Sequence, residues 1–180
     1  MKFLETKLPR VFEVHLEAYC DERGTFARTW CQKEFENHGL CPKFVQCNVS
    51  FNARKGTMRG IHYQAEPFPE AKLIRCTMGS IYDVVVDLRP RSATFGDWIG
   101  VQLTAANRHM LYVPEGCGHG FLTLEDNTEV FYQMSEFYHP ELARGVRWDD
   151  PAIQITWPAA IEVISPRDRS YANLGGFQCA

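Results

Sequence analysis

The 180-residue sequence predicts an all-β protein, a jelly-roll barrel of two antiparallel sheets with a few short helices. Three observations lead there. Residues that favour strands gather in short runs, and turn-forming residues separate those runs at roughly regular spacing. In Asp97–Thr104, the residues Ile99, Val101 and Leu103 alternate with Gly100 and Gln102, the period of a half-buried strand. Helical periodicity is scarce.

Taken in order, Cys31–His38 reads as a short helix with Gly39 as its stop. The strands follow as Phe44–Phe51, Lys72–Thr77, Ile81–Leu88, Asp97–Thr104, Met110–Val113 and Glu129–Met134. Between them lie turns at Met78-Gly79-Ser80, Arg89–Ser92, Ala106-Asn107, Glu115–Gly118 and Glu125-Asp126-Asn127. From Ile161 onward the pattern is thin, apart from Ser165-Pro166-Arg167-Asp168. No repeat, linker or low-complexity tract interrupts the chain, so one domain is expected over residues 1–180. A chain of this length buries roughly 70% of its unfolded surface and needs no disulfide or metal to fold.

Hydrophobic residues make up 45% and charged residues 23%, which argues against disorder. Nineteen Lys and Arg oppose 22 Asp and Glu, so a general nucleic-acid partner is not expected. No stretch is long and apolar enough for a membrane helix. Glu5, Lys7, Arg10 and Glu13 interrupt any apolar signal core near the start, and the expected location is the cytoplasm. The seven cysteines are odd in number and form no CxxC pair; they read as small apolar residues, Cys179 among them.

Two Gly-bounded segments carry histidines: Gly56-Thr57-Met58-Arg59-Gly60-Ile61-His62-Tyr63-Gln64 and Pro114-Glu115-Gly116-Cys117-Gly118-His119-Gly120. They resemble the two motifs of cupins, jelly-roll barrels that hold a metal. The first motif, however, needs a second histidine where Gln64 stands, and Glu70 comes too late for its carboxylate. Only His62 and His119 remain as ligands, fewer than a catalytic metal site takes. A metal-free barrel is therefore expected, with no cofactor.

Several cations invite an anionic ligand, since Arg grips phosphate with two N–H groups and Lys supplies a compact charge. Arg59 and Lys72 stand out from the scattered surface charge because both lie near His62 on strand-like segments. Tyr132 shares a strand face with Val130 and Met134, which by itself describes a core tyrosine.

Longer strings extend the pattern: Asp21-Glu22-Arg23-Gly24, Phe44-Val45-Gln46, Met58 to Gln64, Lys72-Leu73-Ile74-Arg75-Cys76, Thr94-Phe95-Gly96, Val113 to Gly116, Gly118-His119-Gly120-Phe121, Phe131-Tyr132 and Trp148-Asp149-Asp150. With these, nearly the whole chain, about residues 3 to 170, resembles the dTDP-4-dehydrorhamnose 3,5-epimerases. These are metal-independent, cupin-like enzymes of nucleotide-sugar metabolism. The resemblance implies His62 as general base, Asp168 as its partner, Lys72 beside the C4 oxygen and Tyr132 as proton donor from the opposite face. It implies substrate contacts at Arg23, Arg59, Gln46, Asn48, His119 and Arg167. It also implies a homodimer whose exchanged N-terminal region places Arg23 or Arg28 at the neighbour's site.

The sequence departs from the family at three points. Arg28 stands where the family commonly has Glu, Arg144 stands near a second family Glu, and Gln46-Cys47-Asn48 replaces Gln-Asp-Asn. Arg28 and Arg144 are taken as substrate contacts with reversed charge, which opens a single-site epimerase or a CDP- or GDP-linked sugar as alternatives. Alternatives of other classes are a metal-dependent cupin and a non-catalytic module that binds sugar nucleotides.

Overall fold

The computed structural model describes residues 1–176, so Cys179 lies outside the described residues. Fourteen strands form two main sheets and a hairpin. The first sheet contains β1 (Lys2–Glu5), β2 (Phe12–His15), β5 (Gln46–Asn52), β7 (Lys72–Met78), β10 (Met110–Val113) and β12 (Thr128–Met134), in the order β1-β2-β10-β7-β12-β5. The second contains β6 (Thr57–Gln64), β8 (Ser80–Asp87), β9 (Trp98–Thr104), β11 (Cys117–Thr123) and β13 (Ala143–Gly145), in the order β13-β6-β11-β8-β9. A short β14 (Val163–Ile164) pairs in parallel with β6. The hairpin of β3 (Tyr19–Asp21) and β4 (Gly24–Phe26) pairs with neither sheet.

The two sheets face each other as the alternating strands require. Ile74, Cys76, Leu111, Val113 and Val130 from the first meet Ile81, Val85, Ile99, Leu103 and Phe121 from the second. Each sheet's outer face is covered as well. Phe35 of α1 (Gln32–Asn37) packs on Val14, Leu73, Met110 and Tyr112. Trp148, Ile153 and Trp157 pack on Met58, Ile61, Val84 and Val86. Gly39 ends the α1 region at φ +65°, as the sequence leads one to expect.

The strands β6 and β11 differ from expectation. Their glycines read as turns, yet both segments are buried strands in the middle of the second sheet. The expected turn at Glu115–Gly118 ends sooner, because β11 already begins at Cys117. The sparse tail forms β14 and the short helix α2 (Pro166–Arg169).

The glycines serve the pairing itself. His62 faces His119 across the ladder, but Arg59 faces Phe121, so β6 carries one extra residue there. Gly60 occupies this bulge at φ +127°, a conformation that suits glycine. Strict alternation would send Arg59 and His62, three residues apart, to opposite faces; the bulge turns both inward. Close approach of β11 is part of the same device. A Cβ at Gly120 would stand 2.6 Å from Ile61 Cδ1 and 2.8 Å from the Arg59 carbonyl oxygen. Gly120→Ala is expected to destabilise the protein by about 1–3 kcal/mol through overpacking, measurable as a lower denaturation midpoint.

Four of the six described cysteines are at least partly exposed, against the expectation of apolar filler; Cys76 and Cys117 meet it. Burial pushes the Cys76 thiol to about 11 and the Cys117 thiol to about 12. No helix among the described residues is long and apolar enough to cross a membrane.

Candidate active site

Between the sheets opens a cavity of two lobes, about 460 and 290 Å³. His62, Lys72, Tyr132 and Arg167 line both lobes. The first lobe adds Arg59, His119 and Asp168, and the second adds Gln46, Asn48 and Arg144. The site therefore draws His62, Arg59 and His119 from one sheet and Lys72, Tyr132, Gln46 and Asn48 from the other.

The placement of Asp168 follows from the tail. Pairing of Val163 with Thr57 lays β14 along β6, and α2 then starts over His62. Ser165 caps this helix by accepting from the Asp168 N–H, while Pro166 occupies a first-turn position. The Asp168 carboxylate, 4% exposed, lies 2.6 Å from His62 Nε2. Its second oxygen accepts from the Gly60 N–H at 3.4 Å. Burial raises the Asp168 pKa, but the His62 hydrogen bond and charge, with the Gly60 and Ser165 contacts, outweigh it and hold the group below its ordinary value. With Nε2 engaged, Nδ1 is the His62 nitrogen left to exchange a proton with a ligand.

A second such pair stands beside the first. His119, the direct cross-strand neighbour of His62, lies 2.6 Å through Nε2 from Asp83, which is wholly buried on β8. Lys72 Nζ lies 3.0 Å from Glu70, and both side chains are about nine-tenths buried. Arg59 is fixed by donating Nε–H to Asn52 Oδ1 at 2.7 Å. Tyr132 titrates above its ordinary value, chiefly through burial and also through Glu70, against the lowering influence of Arg59 and an Asn48 hydrogen bond. Its phenol thus stays protonated at neutral pH and can act as a donor.

Gln64 has a structural task. Its amide donates to the carbonyls of Phe68 and Phe137 and accepts from the His139 N–H, which ties down the loops on either side of the second lobe. Among the described residues, the grouping whose ligand atoms converge as a metal needs is Glu13, His15 and His109, outside both lobes.

A model of the dTDP-4-dehydrorhamnose 3,5-epimerase family matches residues 5–175. The chain belongs to that family. A dTDP-4-dehydrorhamnose 3,5-epimerase from Methanothermobacter thermautotrophicus is 44% identical over 176 residues, covering 96% of this chain and 94% of the relative. The crystal structure of the Bacillus anthracis family member with TDP and PPi bound superposes with a TM-score of 0.92 at 40% identity, covering 96% of this chain and 98% of that one. A dTDP-6-deoxy-D-glucose-3,5-epimerase from Legionella pneumophila, in complex with dTDP-4-keto-L-rhamnose, gives 0.91 at 34% identity, covering 98% and 94%.

Of the twelve site residues expected from the sequence, ten implied by the family resemblance and two, Arg28 and Arg144, at departures from it, ten line the cavity. Arg23 and Arg28 do not. Arg23 sits at the tip of the β3–β4 hairpin, 84% exposed, held to Asp21. Arg28 pairs with Glu34 on α1, whose carboxylate also binds the Met1 amino group. Arg23 stands outside because its hairpin pairs with neither main sheet, and Arg28 because Glu34 holds it at α1 on the outer face of the first sheet. Arg144 is at the second lobe, its guanidinium donating to the Glu141 carbonyl. Sequence reasoning passes over Asp83 and Asn52, which orient His119 and Arg59, and weighs Glu70 only as a metal carboxylate, whereas it pairs with Lys72. Asp83 left a signal: it is a carboxylate inside the apolar run Ile81–Leu88.

Asp168→Asn is expected to lower turnover by about 100- to 10⁴-fold while leaving dTDP affinity within a factor of two, as seen by steady-state kinetics and titration calorimetry. The carboxylate's folded pKa is depressed, so its contribution to stability is present above its unfolded value of 3.8 and fades as pH falls through the lower folded value. The stability gap between the wild type and Asp168→Asn should accordingly narrow in acid.

Proposed function

We propose that the chain inverts C3 and C5 of dTDP-4-dehydro-6-deoxy-D-glucose, yielding dTDP-4-dehydro-L-rhamnose. The observation that carries this reading is the supply of His62 and Tyr132 by opposite sheets to one cavity lining that also holds Lys72. The 4-keto group acidifies the protons on its two neighbouring carbons. His62 takes such a proton through Nδ1, and Asp168 stabilises the imidazolium that forms. The electron pair moves to the C4 oxygen as an enolate, which the Lys72 ammonium stabilises; losing such a group costs on the order of 100-fold. Tyr132 returns a proton from the other face, completing the inversion. Arg59, His119 and Arg167 hold the anionic and hydroxyl groups of the substrate, and Gln46, Asn48 and Arg144 line the lobe for the rest of the nucleotide.

The active form is a homodimer in this reading. The projecting hairpin exposes Tyr19 and Phe26 at 67% and 79%, and edge strand β5 exposes Val49 and Phe51. Exposed aromatic groups of this kind suit an interface between copies, and the hairpin then presents Arg23 to the partner's cavity.

The test is incubation with dTDP-4-keto-6-deoxyglucose in deuterated buffer, read by NMR. Deuterium is expected at both C3 and C5. Exchange at one carbon alone assigns a single-site epimerase, and exchange at neither removes this substrate. Parallel incubations with the CDP- and GDP-linked sugars read out whether Arg144 changes nucleotide preference.

A further inference from the structure

Three side chains unused by this chemistry meet where β2 runs beside the start of β10. Glu13 and His15 lie two residues apart and so on one face of β2. Met110 pairs with Val14, which sets His109 next to His15. The two imidazoles stack with centroids 3.6 Å apart and planes 10° from parallel. Glu13 Oε2 lies 3.2 Å from His15 Nε2. One ligand atom from each residue falls within 4.8 Å of the other two, and all three side chains are partly accessible to water.

We propose that Glu13, His15 and His109 form a binding site for a divalent transition-metal ion such as Zn²⁺, with two imidazole nitrogens and one carboxylate oxygen as ligands and water completing the shell. Two histidines and a glutamate are a donor set that open zinc sites use. The imidazoles select against Mg²⁺ and Ca²⁺, which take oxygen ligands. Ligand atoms around tetrahedral zinc stand roughly 3.3 Å apart, given zinc–nitrogen and zinc–oxygen bonds near 2 Å. The site closes when each ring turns about its Cβ–Cγ bond, so that both lone pairs leave the parallel arrangement and aim at one point. The pairing of Met110 with Val14 already holds the two backbone segments side by side.

A proton-free imidazole is the form a metal binds. The ion would clip β2 to the entry of β10, so its first consequence is stability.

The experiment titrates the full-length protein with ZnCl₂ by calorimetry and records the visible spectrum of its Co²⁺ form. One ion per chain with micromolar affinity is expected, together with tetrahedral or five-coordinate Co²⁺ absorption. A rise in melting temperature of about 5 °C or more at 100-fold excess over Kd should accompany it. His109→Gln should weaken binding by more than about 10-fold, and the His15→Gln/His109→Gln double variant should abolish it. The apo melting temperatures of the variants establish that they fold. Epimerase turnover of the variants stays at the wild-type level, so the outcome is independent of the function proposed above. Affinity no tighter than millimolar, or zinc binding that survives the double variant, overturns the proposal.

Discussion

His62→Ala is expected to abolish deuterium exchange at both C3 and C5, with turnover falling by about 10³- to 10⁴-fold, the upper range for loss of a positioned base. The loss should be the same at the two carbons, because His62 is the one base the proposed chemistry assigns to both. His119 tests this assignment from within the cavity. It is the cross-strand neighbour of His62 and carries its own buried carboxylate, so it is the group best placed to substitute. Residual exchange at one carbon in His62→Ala, removed by a second change at His119, would divide the two stereocentres between two bases and refute the single-base scheme. Affinity for dTDP should change little, since the imidazole reaches the sugar ring. Some stability should be lost as well: His62 is partly exposed, but its removal leaves the buried Asp168 carboxylate without its charged partner.

The legibility of these features in the sequence tracks the kind of interaction that fixes each one. Strands β7, β8, β9, β10 and β12 declare themselves by β-branched residues and alternation, and their bounds in the structure lie within two residues of those expected. Strands β6 and β11 hide behind glycine. Gly60 and Gly120 are there because two backbones touch and one strand bulges, and such a requirement is tertiary. Local propensity reads the same letters as turns. The active-site side chains divide in a similar way. Residue type and local pattern single out His62, His119, Arg59 and Lys72. The pairing of His62 with Asp168 spans 106 residues and depends on β14 docking in parallel against β6, a two-residue strand with no periodicity of its own. Only the family resemblance connected them. Asp83 was visible as an oddity, a carboxylate in an apolar strand, but its partner was not.

Tyr132→Phe separates the two halves of the reaction. The variant keeps the ring that packs against the inner core and loses only the hydroxyl, so folding is expected to remain intact. His62 still removes a proton, and Lys72 still receives the enolate. What is missing is the donor on the opposite face. Net inversion should therefore fall by roughly 100-fold or more, while deuterium continues to enter with retention as His62 returns a solvent-derived proton to the face it came from. The measurement is the ratio of deuterium incorporation to inverted product, read from the same NMR time course. In the wild type the two rise together; in Tyr132→Phe incorporation should outrun inversion. The elevated Tyr132 pKa, set chiefly by burial, gives this step its pH dependence. The phenol remains a donor through neutral and mildly alkaline solution, and inversion should decline only as pH climbs through that raised value. Equal loss of incorporation and inversion in Tyr132→Phe would show that the hydroxyl supports proton removal itself, and the opposite-face assignment would be wrong.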